Sequence, residues 1–455
     1  MPATVESTPI LPGLSPICGK PIIASFDTKH LCSDGGLLVL REVESRLGIA
    51  GRLAACLDDP RNANKITHTL DEIIRFRMLM IAAGYEDGND ADTLRTDPMF
   101  KLAMERLPMG ADLCSQPTIS RVENLPDIRA LLRMGQAMVA QYCESFRQAP
   151  RRIVLDIDDT FDAAHGTQQL CFFNAHYDEY GFQPIVVFDG EGRMIAAVLR
   201  PACWPSGHQI AKWLRRLITA IRTHWPRVEI MLRADSHYCT SEVLRFCRAN
   251  GLHYALGVAP TSTLRKHIAG VEQKLAARRP AGSVEKLRCF REFYDGAKSW
   301  DRVERVIARI EAGPDGVDTR FIVTSLVGGT GRRLYQDLYC RRGQAENHIK
   351  AWKTHLAADR TSCCKATANQ MRLFLHIGAY WLMWSLRKLM PRRSWWRGAQ
   401  FDTLRLRLIK IAVQVEDLKT RVKLHLPRST PDQAIFAWCC RGCRSWWFER
   451  WGGCP

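Results

Sequence analysis

Long hydrophobic runs are lacking in this sequence. No stretch approaches the roughly 18 consecutive apolar residues that a membrane-spanning helix needs, and residues 1–20 lack the charged and then apolar layout of a secretory signal. Low-complexity segments and internal repeats are also lacking. These absences favour a globular cytoplasmic protein and disfavour a membrane as its partner.

Cysteine is present, but it does not form a pattern typical of a disulfide-rich or zinc-binding protein. The 17 cysteines are spread over 455 residues, a length that holds roughly two to four domains and needs no disulfide framework. The C-terminal cluster Cys439, Cys440 and Cys443 lacks the second ligand pair of a zinc finger. We therefore expect mostly reduced, buried thiols.

Acidic residues are the scarcer charged type. The chain has 47 Asp and Glu against 65 Lys and Arg, which gives a formal net charge of +18 and a sequence pI of about 9.4. Such an excess of cations favours a polyanionic partner, and nucleic acid fits it better than a membrane surface does.

Residues 1–150 have a helical pattern after a leader rich in glycine and proline. Thr69 and Glu72 have the spacing of a capping box at the start of an apolar-periodic segment. Residues 115–121 start a short helix, and Pro126 starts a longer one. The pattern fits either a helical DNA-binding unit or a plain helical bundle.

From residue 151 the pattern changes to alternating strands and helices. Three apolar runs separated by turn signals predict antiparallel strands, and a helix, a strand, a second helix and a last strand follow them. This order predicts an α/β fold, with a mixed sheet flanked by helices. We divide the chain into a helical N-terminal region (1–150), a first core part (151–258), a β-rich insertion (259–328), a last core part with two helices (329–390) and a basic C-terminal region rich in Trp and Cys (391–455).

Residues 339–353 contain one acid among several bases. At roughly 100° per residue, a helix brings five of these side chains into a sector of about 80°. A single carboxylate framed by cations suits a metal ion and a phosphate backbone. These five residues are Tyr339, Arg342, Glu346, Lys350 and Lys353.

Two strand ends supply further acids. Alternation on the first strand puts Asp156 and Asp158 on one face and Asp159 on the other, and Asp235 follows a later strand. We expect Asp158 and Asp235 side by side, with Glu346 brought to them by its helix. Because three converging carboxylates repel each other, the arrangement predicts hard divalent cations, Mg²⁺ with Mn²⁺ as a substitute. Two such ions suit phosphoryl transfer.

The spacing of Tyr339, Arg342, Glu346 and Lys353 is Y-x2-R-x3-E-x6-K. It resembles the signature of the DDE transposases of bacterial insertion sequences, in the cut-and-paste branch. The segment 155–160 resembles the first-acid strand of that family, commonly Asp-x-Thr, and Arg233-Ala-Asp235-Ser resembles the end of its second-acid strand. Lys350 has no place in the signature and is included from helix geometry alone.

This resemblance implies a ribonuclease-H-like core interrupted by a β-rich insertion before the last catalytic helix. It implies cleavage at the terminal inverted repeats of an element and strand transfer into target DNA, by a cytoplasmic, nucleoid-associated protein that forms a dimer in the synaptic complex. In this branch excision can pass through a DNA hairpin. The implied metal ligands are Asp158, Asp235 and Glu346, and the implied DNA contacts are Tyr339, Arg342 and Lys353.

The identity of the first acid is open, because Asp156 and Asp159 are alternatives to Asp158. We favour Asp158, which has the Asp-x-Thr spacing with Thr160. Gly343 inside the signature costs a helix roughly 1 kcal/mol relative to Ala, so it indicates a helix start nearby or close approach of a DNA backbone.

Two other functions fit parts of the sequence. The Asp-x-Asp-x-Thr pattern from Asp156 to Thr160 also resembles the strand end of haloacid-dehalogenase-like phosphatases, with Asp156 as nucleophile, Asp158 as general acid and one Mg²⁺. A phosphatase for small molecules, however, has no need of the +18 charge. The third possibility is a catalytically inactive DNA-binding protein.

Overall fold

The computed structural model describes residues 15–24, 28, 30–164, 166–279 and 284–451, with side chains up to residue 442. Its N-terminal region is helical, as predicted. The capping box of Thr69 and Glu72 is formed at the start of the third helix, which ends at Gly84 in a left-handed conformation. The elements are β1 (Leu31–Cys32), α1 (Leu37–Leu47), α2 (Ile49–Ala54), α3 (Leu70–Ala83), α4 (Ala91–Leu94), α5 (Pro98–Ala103), α6 (Gln116–Glu123) and α7 (Ile128–Glu144).

The first core part contains most of a mixed sheet. Its strands and helices are β2 (Arg152–Asp159), β3 (Asp162–Ala163), β4 (Phe172–Asn174), β5 (Glu179–Phe182), β6 (Ile185–Asp189), β7 (Met194–Val198), α8 (Gly207–His224), β8 (Glu229–Ala234), α9 (Ser241–Ala249) and β9 (His253–Val258). Strand β2 is antiparallel to β6 and parallel to β8, and β8 is parallel to β9. The predicted α/β class with a mixed sheet and flanking helices is confirmed.

The insertion continues the main sheet. It contains α10 (Ser262–Lys266), α11 (Ala269–Arg278), β10 (Leu287–Asp295), β11 (Glu304–Gly313) and β12 (Gly316–Thr324). Because β12 pairs antiparallel with β9, one eight-stranded sheet results, in the order β10-β11-β12-β9-β8-β2-β6-β7. Strands β3, β5 and β4 form a separate three-stranded sheet, in the order β3-β5-β4.

The signature segment is wound in three different ways. It consists of α12 (Gly331–Arg333), a π-helical turn (Leu334–Tyr339), a 3-10 turn (Cys340–Gly343) and α13 (Gln344–Lys353). The sequence predicted one continuous helix. The regular α-helix instead begins immediately after Gly343, which agrees with the helix start that this glycine indicated.

Helix α14 (Ala366–Leu389) is buried on nearly all sides. It lies between the N-terminal helices and the sheet: Gly378 packs against Met78 of α3, and Trp381 Nε1 donates a hydrogen bond to the Met194 carbonyl of β7 at 3.1 Å. A helix that is apolar all round needs such double coverage.

The C-terminal region pairs with the N-terminal region through one strand. It contains α15 (Phe401–Leu404), a π-helical turn (Arg405–Ile409), β13 (Val413–Leu418), β14 (Arg421–His425) and α16 (Gln433–Trp451). Strand β13 pairs with both β1 and β14. Within the described part of the chain, no helix combines the length and apolar character needed to cross a membrane.

Candidate active site

Strand β2 carries the three candidate first acids. It lies between β6 and β8 in the sheet, so it has a paired strand on each side. Asp156 is 2% exposed and Asp158 is 8% exposed. Such buried carboxylates require partners, and the partners distinguish the three candidates.

Asp156 is held by an arginine of the adjacent strand. The parallel register places Arg233 opposite Asp156, and the guanidinium donates from Nε to Oδ1 and from Nη2 to Oδ2, both at 2.6 Å. The third guanidinium nitrogen, Nη1, donates to the Leu338 carbonyl at 2.5 Å. Both oxygens of Asp156 are therefore occupied by a bidentate ion pair that also fixes the start of the signature segment.

Asp159 lies on the other face of β2, as predicted, and has different partners. Gln183 Nε2 donates to its Oδ2 at 2.7 Å, and His237 Nε2 lies 3.4 Å from its Oδ1. These contacts join β2 to the connection between β5 and β6 and to the turn after β8. They do not bring Asp159 into the cluster that Asp158 forms with Asp235.

Asp158 and Asp235 converge on Arg342. Arg342 Nη2 lies 3.5 Å from Asp158 Oδ2 and forms an ion pair with Asp235 Oδ1. Burial raises the pKa of Asp158 to about 7; Arg342 opposes this shift, while Asp235 and Asp159 add to it. For Arg342, burial lowers the pKa but the nearby carboxylates outweigh it, so the net shift is upward. Asp158 is thus the first-acid candidate that faces Asp235.

Glu346 lies apart from this pair. It is in the first turn of α13 and is exposed. Among the residues that the structure describes, no group of three or more His, Cys, Asp or Glu side chains is placed to hold a metal ion. The structure therefore brings together two of the three predicted ligands. Their carboxylate oxygens are the donors that hard divalent cations prefer, and both carboxylates contact one positive group, Arg342.

Tyr339 is partly buried at the end of the π-helical turn, and burial raises the pKa of its hydroxyl. A Cβ added to Gly257 would lie 2.8 Å from Tyr339 Oη and 3.0 Å from the Ser236 amide nitrogen. The absence of a side chain at Gly257 therefore makes room for this hydroxyl beside the turn that follows Asp235.

The two signature lysines have different environments. Lys350 is exposed. Lys353 Nζ lies 3.4 Å from Asp162 Oδ1 and donates a hydrogen bond to the Phe161 carbonyl. Asp162 is fully buried, and burial raises its pKa to about 7, an effect that Lys353 partly opposes. Lys353 is thus tied to the segment that follows β2.

The opposite face of α13 fixes the helix on the sheet. His348 packs against Phe188 of β6, with ring centroids 5.5 Å apart, and lies over Gly192, where an added Cβ would clash with the imidazole. Burial lowers the pKa of His348 to about 4, so the ring is neutral near pH 7. Trp352 is fully buried. Because this face packs inward, Glu346 and Lys350 face outward.

Residues 14–444 match the protein family described as Transposase DDE domain group 1. The chain belongs to this transposase family. A solved structure of piggyBac transposase, in a synaptic complex with hairpin DNA, is 14% identical; the match covers 83% of this chain and 80% of that chain, with a TM-score of 0.40. No curated protein matches the sequence. DNA transposition is accordingly the general activity of this protein.

Sequence reasoning missed three residues that organise the site of this transposase. Arg233 had a signal, because alternation puts it on the same strand face as Asp235, and parallel pairing then puts it beside Asp156. Asp162 had none, since β2 ends before it and its partner Lys353 is remote in sequence. Gly257 had none either, because a glycine in a strand does not reveal which side chain uses its space.

Proposed function

We propose that this protein is the cut-and-paste transposase of a bacterial insertion sequence. It cleaves DNA at the ends of its element and joins the 3′-hydroxyl groups to target DNA. The observation that carries the proposal is the convergence of Asp158 and Asp235, from the ends of two adjacent parallel strands, on a single cationic group. Arg342 is itself part of the signature segment, and Tyr339 of the same segment lies beside the turn that follows Asp235.

The acids would hold Mg²⁺, with Mn²⁺ as a substitute and two ions in all. Asp158 and Asp235 are the first ligands, and Glu346 is the third. Bound ions would activate a water or hydroxyl and stabilise the leaving oxygen during in-line displacement. Glu346 is exposed in the first turn of α13 and is not grouped with the two aspartates in the described part of the chain, so as the third ligand it would have to approach them.

The cationic residues of the signature would hold the phosphates of the element end. Arg342 has the planar guanidinium that binds phosphate through two hydrogen bonds, and Lys350 is exposed on the outward face of α13. Tyr339 lies beside the turn that follows Asp235, and Lys353 lies beside Asp162, shortly after β2. The net charge of +18 supplies the wider attraction to DNA.

The partners in this proposal are double-stranded DNA of two kinds, the terminal inverted repeats and the target. Two protein copies pair two ends in the synaptic complex. The protein acts in the bacterial cytoplasm, on the nucleoid. Helices α6 and α7 of residues 1–150 are the proposed DNA-binding unit, and excision through a hairpin is the route expected for this branch.

The phosphatase alternative has little support from the site. A nucleophilic Asp156 needs a free carboxylate oxygen, but both oxygens of Asp156 accept hydrogen bonds from Arg233. Its 2% exposure also leaves no room for a substrate beside it. Asp158, the general acid of that alternative, instead faces Asp235 through Arg342.

Excision from a supercoiled plasmid tests the proposal. The plasmid carries the gene's flanking inverted repeats and is incubated with purified protein and Mg²⁺ or Mn²⁺. We expect nicking, excision and joining with the parent protein. With Asp158→Asn, Asp235→Asn or Glu346→Gln we expect at least a hundredfold loss of product, because each removes a proposed ligand on which phosphoryl transfer depends. End binding should persist in Glu346→Gln.

Two controls complete this experiment. Asp315→Asn changes a carboxylate in the turn between β11 and β12, remote in sequence from the proposed ligands, and should leave excision unchanged. If the parent binds the ends but produces no nicks with either metal ion, the protein is a DNA-binding protein without catalysis. If Glu346→Gln is as active as the parent, the third ligand has been assigned wrongly.

A further inference from the structure

Arg342 is in an unexpected place for a residue that binds DNA. Its side chain is only 7% exposed, whereas the neighbouring Arg341 is exposed. Its guanidinium lies between the carboxylates of Asp158 and Asp235. This is the position in which a divalent cation between the two aspartates would have to be held.

The guanidinium and a divalent cation compete for the same oxygens. An arginine side chain stays charged at any physiological pH, so a metal ion entering between the aspartates would meet a positive charge at close range. Removing the guanidinium without a replacement would leave a buried carboxylate unpaired, which is costly. Each cation therefore stabilises the pair of acids, and only one can do so at a time.

The backbone that carries Arg342 is suited to rearrangement. Arg342 lies in the 3-10 turn Cys340–Gly343, between a π-helical turn and α13. Short 3-10 and π segments have poorer hydrogen-bond geometry than an α-helix and often mark a functional hinge. Among the described residues, none outside the local helix backbone would come within 4 Å of a Cβ added to Gly343. Packing against Gly343 itself therefore does not restrain the end of this turn.

We propose that Arg342 acts as a counter-ion switch. In the DNA-free protein it neutralises Asp158 and Asp235; when DNA binds, it transfers to a phosphate and releases the two carboxylates for divalent ions. This inference rests on the proposed function and adds a regulation to the same site. Divalent ions would then bind at the two aspartates only when DNA is bound. The protein would not carry an active metal site when it is free in the cell. By linkage, the ions and DNA increase each other's affinity by the same factor.

Binding of Mn²⁺ to the full-length protein, without DNA, tests the first half. Free Mn²⁺ is measured by electron paramagnetic resonance for the parent, Arg342→Gln and the matched control Arg341→Gln. We expect Arg342→Gln to bind Mn²⁺ on the order of tenfold more tightly than the parent, within the range usual for coupled sites. The control, with the same change of charge, should resemble the parent. Equal affinity in Arg342→Gln and the parent would overturn the proposal.

The release of the carboxylates by DNA can be tested without a substitution. This test therefore also applies if Arg342→Gln does not fold. A short duplex that the parent binds, as measured by fluorescence anisotropy, is added before the Mn²⁺ titration. We expect the duplex to increase the Mn²⁺ affinity of the protein severalfold. A duplex that binds but leaves the affinity unchanged, or lowers it, contradicts a switch at Arg342.

Asp235→Asn separates failure of the switch from failure of the proposed function. If Asp235→Asn weakens Mn²⁺ binding while Arg342→Gln leaves it unchanged, the metal site stands and the switch is wrong. If Asp235→Asn has no effect on Mn²⁺ binding, either alone or combined with Arg342→Gln, the metal site itself is wrong, and the switch with it.

Discussion

Asp156, Asp158 and Asp159 lie on one strand, but each carboxylate has a different electrostatic partner. Asp156 has a complete bidentate partner in Arg233, and Asp159 is shared between Gln183 and His237. Asp158 shares its cation with Asp235 and has a raised pKa. At the residue scale, the acid with the least complete neutralisation is the one best suited to bind a further cation.

Substitution of Asp156 should affect folding more than that of Asp158. Asp156→Asn leaves Arg233, which is 3% exposed, without its anion, so we expect a loss of about 3–5 kcal/mol in the free energy of unfolding. Asp158→Asn removes a carboxylate whose burial is unfavourable when ionised, so it should be neutral or stabilising at pH 8. Urea unfolding of both variants measures this difference. Equal destabilisation by both would show that Asp158 is also a structural residue.

Asp162 predicts a dependence of stability on pH. Its pKa is raised to about 7 in the folded protein, from an ordinary value of about 4. The folded state thus binds a proton more tightly than the unfolded state, and this stabilisation is lost as the pH rises from about 4 through 7. Each pKa unit corresponds to roughly 1.4 kcal/mol.

Asp162→Asn isolates this contribution. We expect the variant to lose less stability between pH 5 and pH 8 than the parent, because one of the buried carboxyls that titrate there has been removed. Urea midpoints at the two pH values provide the measurement. Asp178→Asn, at a position outside the core, is the matched control and should retain the parent's pH dependence. An identical drop for parent and Asp162→Asn would contradict the assignment.

At the scale of elements, the signature segment shows why a spacing pattern was only partly sufficient. The Y-x2-R-x3-E-x6-K spacing predicted one helical face, but the π-helical and 3-10 turns before Gly343 rotate Tyr339 and Arg342 toward the sheet. Glu346 and Lys350 lie on the regular helix α13 and face outward. The spacing identified the segment, and its local winding determines the direction of each side chain.

Gly257 and Tyr339 predict a coupling between β9 and this segment. In Gly257→Ala, the new methyl would approach Tyr339 Oη to 2.8 Å, so the hydroxyl must move from its place beside Asp235. We expect weaker binding of element ends and a loss of stability of about 1–3 kcal/mol, typical of overpacking. Adding Tyr339→Phe removes the atom that clashes and should restore part of the stability. No recovery in the double variant would indicate that the Ser236 backbone, 3.0 Å away, causes the strain.

At the scale of the whole molecule, chain segments that are remote in sequence form one unit. Helix α14 packs against both the N-terminal helices and the sheet, and strand β13 completes a sheet with β1. A continuous cluster of buried apolar residues extends from Leu37 to Cys439. The regions 1–150 and 391–455 therefore help to support the candidate site through α14, in addition to any contact with DNA.

Arg405 tests this integration. Its Nε donates to the Ala82 carbonyl at the end of α3 at 3.1 Å, and its Nη2 donates to the His355 carbonyl shortly after α13. Arg405→Ala leaves these carbonyl groups without their donor, so we expect a loss of about 1–3 kcal/mol in the free energy of unfolding. The matched control is Leu406→Ala, at a side chain that is 71% exposed; its effect should be under about 0.5 kcal/mol. Similar melting temperatures for both variants would contradict this role.

Local sequence patterns were sufficient for the order and type of most elements. The capping box at Thr69, the alternating strand of Asp156 and Asp158, and the helix start after Gly343 all depend on neighbours a few residues away. Such patterns reflect backbone geometry that does not require the rest of the fold. They also selected the acids and the signature, because the spacing of those residues is itself local.

Which charged side chains meet depends on the tertiary structure. Asp156 with Arg233, Lys353 with Asp162, and Arg342 between Asp158 and Asp235 are pairs of residues that lie far apart in sequence, as are β1 with β13 and β9 with β12. Periodicity assigns a side chain to a face of its own element, but the partner across the interface depends on sheet register and helix winding. For that reason the sequence could select the candidate acids and the signature segment, whereas the placement of Arg342 between Asp158 and Asp235 follows from the fold.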